Sequence, residues 1–157
     1  MIPVWLLDID GVVNKLGGRS AGDNMGIADT SDGGMYNITW RSSVTNFINK
    51  VISEGRADVR LCSTWVSDAK TMTDLLGLPE LPLAFAADAN RYVIREEKLN
   101  AAQILRDASI PFVWTDDDAI PRGFSGDHKT LLIEPDPWNG LTEGDLAIID
   151  HFLDIHN

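Results

Sequence analysis

The stretch Ile2-Pro3-Val4-Trp5-Leu6-Leu7-Asp8-Ile9-Asp10-Gly11-Val12-Val13-Asn14 is apolar up to Leu7 and changes character at Asp8, where two carboxylates spaced i, i+2 are followed by a glycine. An apolar run without polar alternation reads as a strand buried on both faces, and Asp10-Gly11 as the polar turn at its end. Side chains two apart on a strand point the same way, so Asp8 and Asp10 repel each other unless a cation or a shared proton intervenes. Taken alone, Asp-x-Asp at a strand end is more often a solvated turn than a site. The remainder of the chain decides between the two.

At 157 residues the chain is expected to form one domain, and at 44% hydrophobic content it has an ordinary supply of core residues. The net charge of −11 disfavours a bare nucleic-acid backbone as partner, because that affinity depends on Lys and Arg neutralising phosphates. A nucleic-acid substrate would need a local basic patch. Cys62 is the one cysteine, so no internal disulfide forms and nothing points to an oxidising compartment. The first residues lack a basic region and the apolar run stops at Asp8, too early for a signal peptide. No stretch approaches the roughly 18 apolar residues of a membrane span. A cytoplasmic protein without a membrane partner is expected.

Residues 12–41 hold Gly17, Gly18, Gly22, Gly26, Gly33 and Gly34 among Ser, Asp and Asn, and are expected to form a loop or loose hairpin, a flap over the end of the first strand. A merely tolerated insertion is the competing account of the same segment. Val44, Phe47, Ile48, Val51 and Ile52 then mark one face of a helix capped by Ser42 or Ser43 and ended by Gly55. Asp58 to Cys62 reads as a strand running into Ser63-Thr64-Trp65. A second helix starts after Ser67 and stops at Gly77, and Leu83 to Ala86 makes a short strand. A third helix runs from about Glu96 to Ala108, with Lys98 in its first turn. Pro111 to Thr115 is a strand entering Asp116-Asp117-Asp118, and Thr130 to Ile133 is another. Thr142-x-x-Asp145 is a capping box for a last helix that buries Leu146, Ile149 and Phe152.

Alternating strands and helices, with apolar rather than alternating strands, predict an α/β fold: a Rossmann-like three-layer sandwich with a mainly parallel sheet. In such sheets ligands bind beyond the carboxyl ends of the strands. Three of the predicted strands end in polar residues, at Asp8 to Asp10, at Ser63-Thr64 and at Asp116 to Asp118, so these are expected to meet on one edge. Acids gathered there call for a hard cation, and oxygen-only ligands suit Mg²⁺. The expected ligands are the Asp8 side chain, the Asp10 backbone carbonyl, and Asp116 or Asp117. His128, His151 and His156 have no zinc spacing and are expected at the surface. Ser63 can donate to a phosphoryl oxygen, with Thr64 as a rival, and Lys98 supplies a point charge. Each has a plainer account: Ser63 as a turn former, Lys98 as a solvated helix residue, Asp116 to Asp118 as a capped loop, Trp65 and Trp114 as packing.

Taken together, Leu6-Leu7-Asp8-Ile9-Asp10-Gly11-Val12, Val59-Arg60-Leu61-Cys62-Ser63, Lys98 and Phe112-Val113-Trp114-Thr115-Asp116-Asp117 resemble, in order, the four motifs of the haloacid dehalogenase superfamily of phosphotransferases. The resemblance covers residues 2 to about 120. The first motif is fairly specific, the fourth moderately, and the other two are weak alone. It implies a Mg²⁺-dependent phosphatase in which Asp8 is the nucleophile, Asp10 the acid/base, Ser63 (or Thr64) and Lys98 the holders of the phosphoryl group, and Asp8, Asp10 and Asp116 the metal site, with Asp117 sharing or taking the role of Asp116. Many members carry a cap domain. Here neither 12–41 nor 64–97 is long enough to hold a core of its own, so a capless member with an open site is implied. An open site admits small phosphorylated molecules and macromolecular phosphate ends. Asp10-Gly11-Val12-Val13-Asn14, Ser63-Thr64-Trp65 with Asp68-Ala69, and Trp114 to Asp118 are also similar to small bacterial domains of this superfamily linked to RNA repair.

Two other functions compete. A catalytically silent descendant would bind a phospho-ligand or a protein through the same edge, although no core motif residue is missing. A signalling receiver domain also combines acids, a hydroxyl and a lysine, but there the lysine follows the phosphorylated Asp and the hydroxyl at the end, whereas here Lys98 precedes the second acid cluster.

Overall fold

A computed structural model describes residues 1–157. Four parallel strands, β1 (Val4–Leu7), β4 (Asp58–Leu61), β5 (Phe112–Thr115) and β6 (Thr130–Ile133), form one sheet in the order β4-β1-β5-β6. A second, antiparallel sheet consists of β2 (Asn24–Asp29) and β3 (Met35–Trp40). The helices are α1 (Ser42–Ser53), α2 (Ala69–Leu76), α3 (Ile94–Asp107) and α4 (Glu143–His156), with a short 3₁₀ helix over Thr64–Asp68.

The strands are buried on both faces because helices cover both. Trp5, Leu7, Val59, Leu61 and Val113 pack against Val44, Ile48 and Val51 of α1 and Leu146, Ile149 and Leu153 of α4. Val4, Leu6, Phe112 and Trp114 point the other way and meet Ala102 and Leu105 of α3. The period of two along each strand thus splits the core into two layers, as the apolar strand sequences predict. The expected α/β architecture with a parallel sheet between helices is the one observed.

Residues 12–41 are more ordered than a loose flap. They carry a hairpin paired from Asn24↔Trp40 to Asp29↔Met35, with Ala28 and Ile38 buried beneath it. Its base is held by the Lys15–Asp23 ion pair, both side chains buried, and by the Lys15 amide donating to the Thr39 carbonyl at 2.8 Å. The sequence obscures this because β2 and β3 bury only Ala28, Ile38 and Thr39 and leave Met25, Ile27, Met35 and Tyr36 exposed.

Three local expectations need correction. The cap position of α1 is Arg41 and makes no side-chain hydrogen bond, so neither Ser42 nor Ser43 caps it. Leu83 forms only an isolated bridge to Leu61, flanked by the Leu61 amide to Pro82 (2.8 Å) and the Ala84 amide to Leu61 (2.9 Å), too little for a strand. Helix α3 begins at Ile94, so Lys98 lies in its second turn. The capping box of α4 is present, with the Thr142 hydroxyl accepting from the Asp145 amide and the Asp145 carboxylate accepting from the Thr142 amide. No helix is long and apolar enough to cross a membrane.

Candidate functional site

The register of the sheet decides which residues meet. Leu7 lies opposite Leu61 on one side and Thr115 on the other, so one residue further on Asp8, Cys62 and Asp116 stand abreast at the carboxyl edge. The pairing persists past the strand ends: the Asp8 amide donates to the Thr115 carbonyl at 3.1 Å and the Cys62 amide to Leu7 at 2.8 Å. The chain runs from β1 out to β4, then crosses to β5 on the far side of β1, and the crevice beside such a switch is where ligands bind in open α/β sheets.

Alternation then orients the acids. Leu6 and Trp114 face α3, and so do Asp8 and Asp116 two residues on. Helix α3 buries Ile94, Lys98, Ala102 and Leu105, a single stripe at helical spacing, which brings the Lys98 ammonium to the carboxylates. Its Nζ lies 2.7 Å from Asp116 Oδ2 and 3.4 Å from Asp8 Oδ1. All three side chains are buried. Asp116 is fixed from the other side by the Asp118 and Ala119 amides, which donate to its Oδ1 at 3.1 and 2.9 Å. Carboxylate oxygens of Asp8, Asp116 and Asp117 lie within 4.8 Å of one another.

One lysine does not balance three acids. Burial raises the pKa of Asp8 well above the ordinary carboxylate value, and Asp116 adds to this, while Lys98 opposes it. Asp117 is raised as well, by burial and then by Asp118 and Asp116. Burial would lower the pKa of Lys98, but Asp8 and Asp116 more than reverse it and hold the ammonium charged. The group is therefore short of positive charge, and its donors are all hard oxygens, a set that fits Mg²⁺ in chemistry.

Asp10 is turned away from this cluster. Its Oδ1 accepts from Asn14 Nδ2 at 2.9 Å and its Oδ2 from Trp65 Nε1 at 3.1 Å. Asn14 is itself tied to the hairpin, its Oδ1 accepting from the buried Thr39 amide at 2.9 Å. Gly11 holds φ +76°, and a Cβ there would lie 2.5 Å from Asp117 Oδ2. Glycine is thus required twice at this turn, for backbone conformation and for the close approach of Asp117.

Of the two candidate hydroxyls, Ser63 is fully buried and its Oγ accepts from the Trp65 amide at 3.2 Å, capping the 3₁₀ helix. Thr64 is exposed and lines two adjoining cavities. The smaller, of about 170 Å³, is bordered by Lys98, Arg91, Arg95 and Thr64, with Asp118 as its one acid. The larger, of about 570 Å³, is bordered by Asp10 and Asn14, by Tyr36 of the hairpin, and by Trp65. Trp114 is core, stacked edge-on against Phe124 at 5.6 Å, whereas Trp65 combines burial with the bond to Asp10.

No family model, curated protein or solved structure matches this chain. Sequence reasoning did not single out Asn14 or Trp65 as partners of Asp10, nor Arg91 and Arg95 as the basic rim. Asn14 is the one with a signal: an amide four residues after an acid that ends a strand is within reach of it across a turn. Arg91 lies in an irregular segment whose position follows from tertiary contacts alone.

Proposed function

We propose that the protein is a Mg²⁺-dependent phosphomonoesterase of the haloacid dehalogenase type, without a cap domain, working through a phosphorylated Asp8. The observation that carries it is the meeting of Asp8, Asp116 and Asp117 oxygens within 4.8 Å with Lys98 wedged between two of them. Buried acids that repel one another weaken a fold, and such groups cluster where chemistry needs them. The order of the four motifs along the chain supports the same assignment.

Asp8, Asp116, Asp117 and the Asp10 backbone carbonyl would hold the ion, which supplies charge to the phosphoryl oxygens and keeps Asp8 ionised. The Asp8 carboxylate attacks phosphorus. The bond from phosphorus to the leaving oxygen breaks, its electron pair goes to that oxygen, and Asp10 delivers a proton to it. Asp10 then removes a proton from water, which attacks the phosphorus of phospho-Asp8 and releases phosphate. Lys98 and Thr64 face the transferred group, with Lys98 held by Asp116 so that its charge is in place beforehand. Ser63 serves by shaping the loop that presents Thr64. Asn14 and Trp65 fix the Asp10 carboxylate between two donors.

Hydrolysis of 4-nitrophenyl phosphate with and without Mg²⁺, by the wild type and Asp8→Asn, tests this. Turnover that needs the metal and is lost in Asp8→Asn supports it; equal rates in the two proteins contradict it. A protein that binds Mg²⁺ and phosphate but turns over no monoester would instead be a silent phospho-ligand domain.

A further inference from the structure

The two cavities differ in charge. The smaller is framed by Lys98, Arg91 and Arg95 against a single acid, Asp118, which Arg95 already pairs with at 3.2 Å. The larger carries Asp10, Asp32 and Asp68, with Arg91 as its only cation. Asp68 is held in place by the Ser31 amide (2.9 Å) and Asp32 by the Gly34 amide (3.2 Å), so both carboxylates are fixed features of the wall. Because Asp10 borders the larger cavity and not the smaller, the oxygen that takes its proton has to lie on the larger side. The phosphoryl group and the alcohol it leaves are thereby sorted into a basic and an acidic compartment.

The larger cavity is also far roomier than a phosphate requires and falls in the range of small-molecule sites. Tyr36 lines the larger cavity, meets Trp65 at 5.6 Å with the two rings perpendicular, and remains 51% exposed, so aromatic surface is accessible there. We propose that the leaving alcohol is an uncharged, ring-bearing molecule of about nucleoside size, stacked on Tyr36, and that Asp32 and Asp68 reject substrates with a second phosphate on that half. This rests on the phosphatase assignment above and narrows it. A ring gains from an aromatic wall, while a second phosphate set against two carboxylates and one guanidinium is repelled.

The test compares kcat/KM for adenosine 5′-monophosphate, adenosine 3′,5′-bisphosphate and glycerol 3-phosphate in Mg²⁺, with acetyl phosphate as a small donor that reports the phosphoryl site alone. The wild type is expected to prefer the monophosphate to both the bisphosphate and glycerol phosphate. Tyr36→Ala is expected to lower the preference for the nucleotide over glycerol phosphate about fivefold to tenfold, and Tyr36→Phe to restore it. Asp32→Asn, which keeps the acceptor for Gly34, is expected to narrow the gap between mono- and bisphosphate. Equal use of the bisphosphate by the wild type, or a Tyr36→Ala loss that is the same for glycerol phosphate, overturns the proposal while leaving the phosphatase in place. Failure to hydrolyse even acetyl phosphate overturns both.

Discussion

The indole of Trp65 donates to Asp10 Oδ2 at 3.1 Å and so couples the loop after β4 to the turn after β1. With Asn14 on Oδ1, the carboxylate has one fixed orientation towards the larger cavity. Trp65→Phe keeps the ring and removes the donor. It is expected to lower kcat about tenfold to a hundredfold, with a stability cost of about 1–3 kcal/mol for the smaller buried ring. A poor leaving group depends most on a well-placed acid, so the loss is expected to be larger for an alkyl phosphate than for 4-nitrophenyl phosphate. Equal losses would argue that Trp65 is packing only. Asn14→Ala also strips the buried Thr39 amide of its acceptor, and melting is expected to show a further cost of about 1–3 kcal/mol.

Gly11→Ala strains a backbone at φ +76° and sets a methyl against the Asp117 carboxylate. The expected stability cost is more than about 1 kcal/mol. The sharper readout is metal binding: Mg²⁺ is expected to raise the Tm of the wild type, and that rise is expected to shrink or vanish in Gly11→Ala because the methyl pushes Asp117 out of the cluster. An unchanged Mg²⁺ response would remove Asp117 from the ligand set.

How much of this is legible in the sequence follows from which residues obey a period. The strand stretch at Val4–Leu7 and the acids after it are readable because an apolar run ending in polar residues has few other meanings. The hairpin is legible only as an alternative to a loop and without its register, since Met25, Ile27 and Met35 are exposed where a strand pattern would bury them and its pairing rests on backbone bonds. Lys98 is the instructive case: alone it reads as solvated, but placed i, i+4 and i+7 with Ala102 and Leu105 it shares their buried stripe. The choice between Ser63 and Thr64 turns on exposure, since Ser63 is fully buried and Thr64 lines both cavities, and the sequence does not show which of two adjacent hydroxyls the turn buries.

Asp8 is buried against Asp116 and Asp117 with Lys98 as the sole counter-charge, so ionised Asp8 weakens the metal-free fold. Asp8→Asn removes that repulsion, and near neutral pH without metal it is expected to raise stability by about 1 kcal/mol, some 2–4 °C in Tm for a domain of this size. In Mg²⁺ the order is expected to reverse if, as proposed, the wild type binds the ion through Asp8. A variant less stable than the wild type in both conditions would show that Asp8 is a structural partner of Lys98.

Asp23 is expected to contribute to the loss of stability at the acid end of the pH range. Burial favours its neutral form, but the Lys15 ammonium and the Ser20 amide outweigh this and hold its pKa below the ordinary value. Its folded pKa is thus lower than its unfolded one, so its contribution is complete above the unfolded value of about 4 and is lost as pH falls through the folded value. Asp23→Asn is expected to cost roughly 2 kcal/mol at pH 7, because it leaves the buried Lys15 ammonium without its counter-charge, and to flatten the fall in Tm below about pH 4. An identical acid slope in wild type and variant would assign that slope to other carboxylates.

The central claim is that Asp8 takes up phosphorus. Asp10→Asn still permits attack but cannot activate water, so acid-quenched mixtures of this variant with 4-nitrophenyl phosphate and Mg²⁺ are expected to accumulate one phosphoryl group, found by mass spectrometry on the peptide containing Asp8. A phosphoryl group on any other residue, or full turnover by Asp8→Asn under the same conditions, would contradict it.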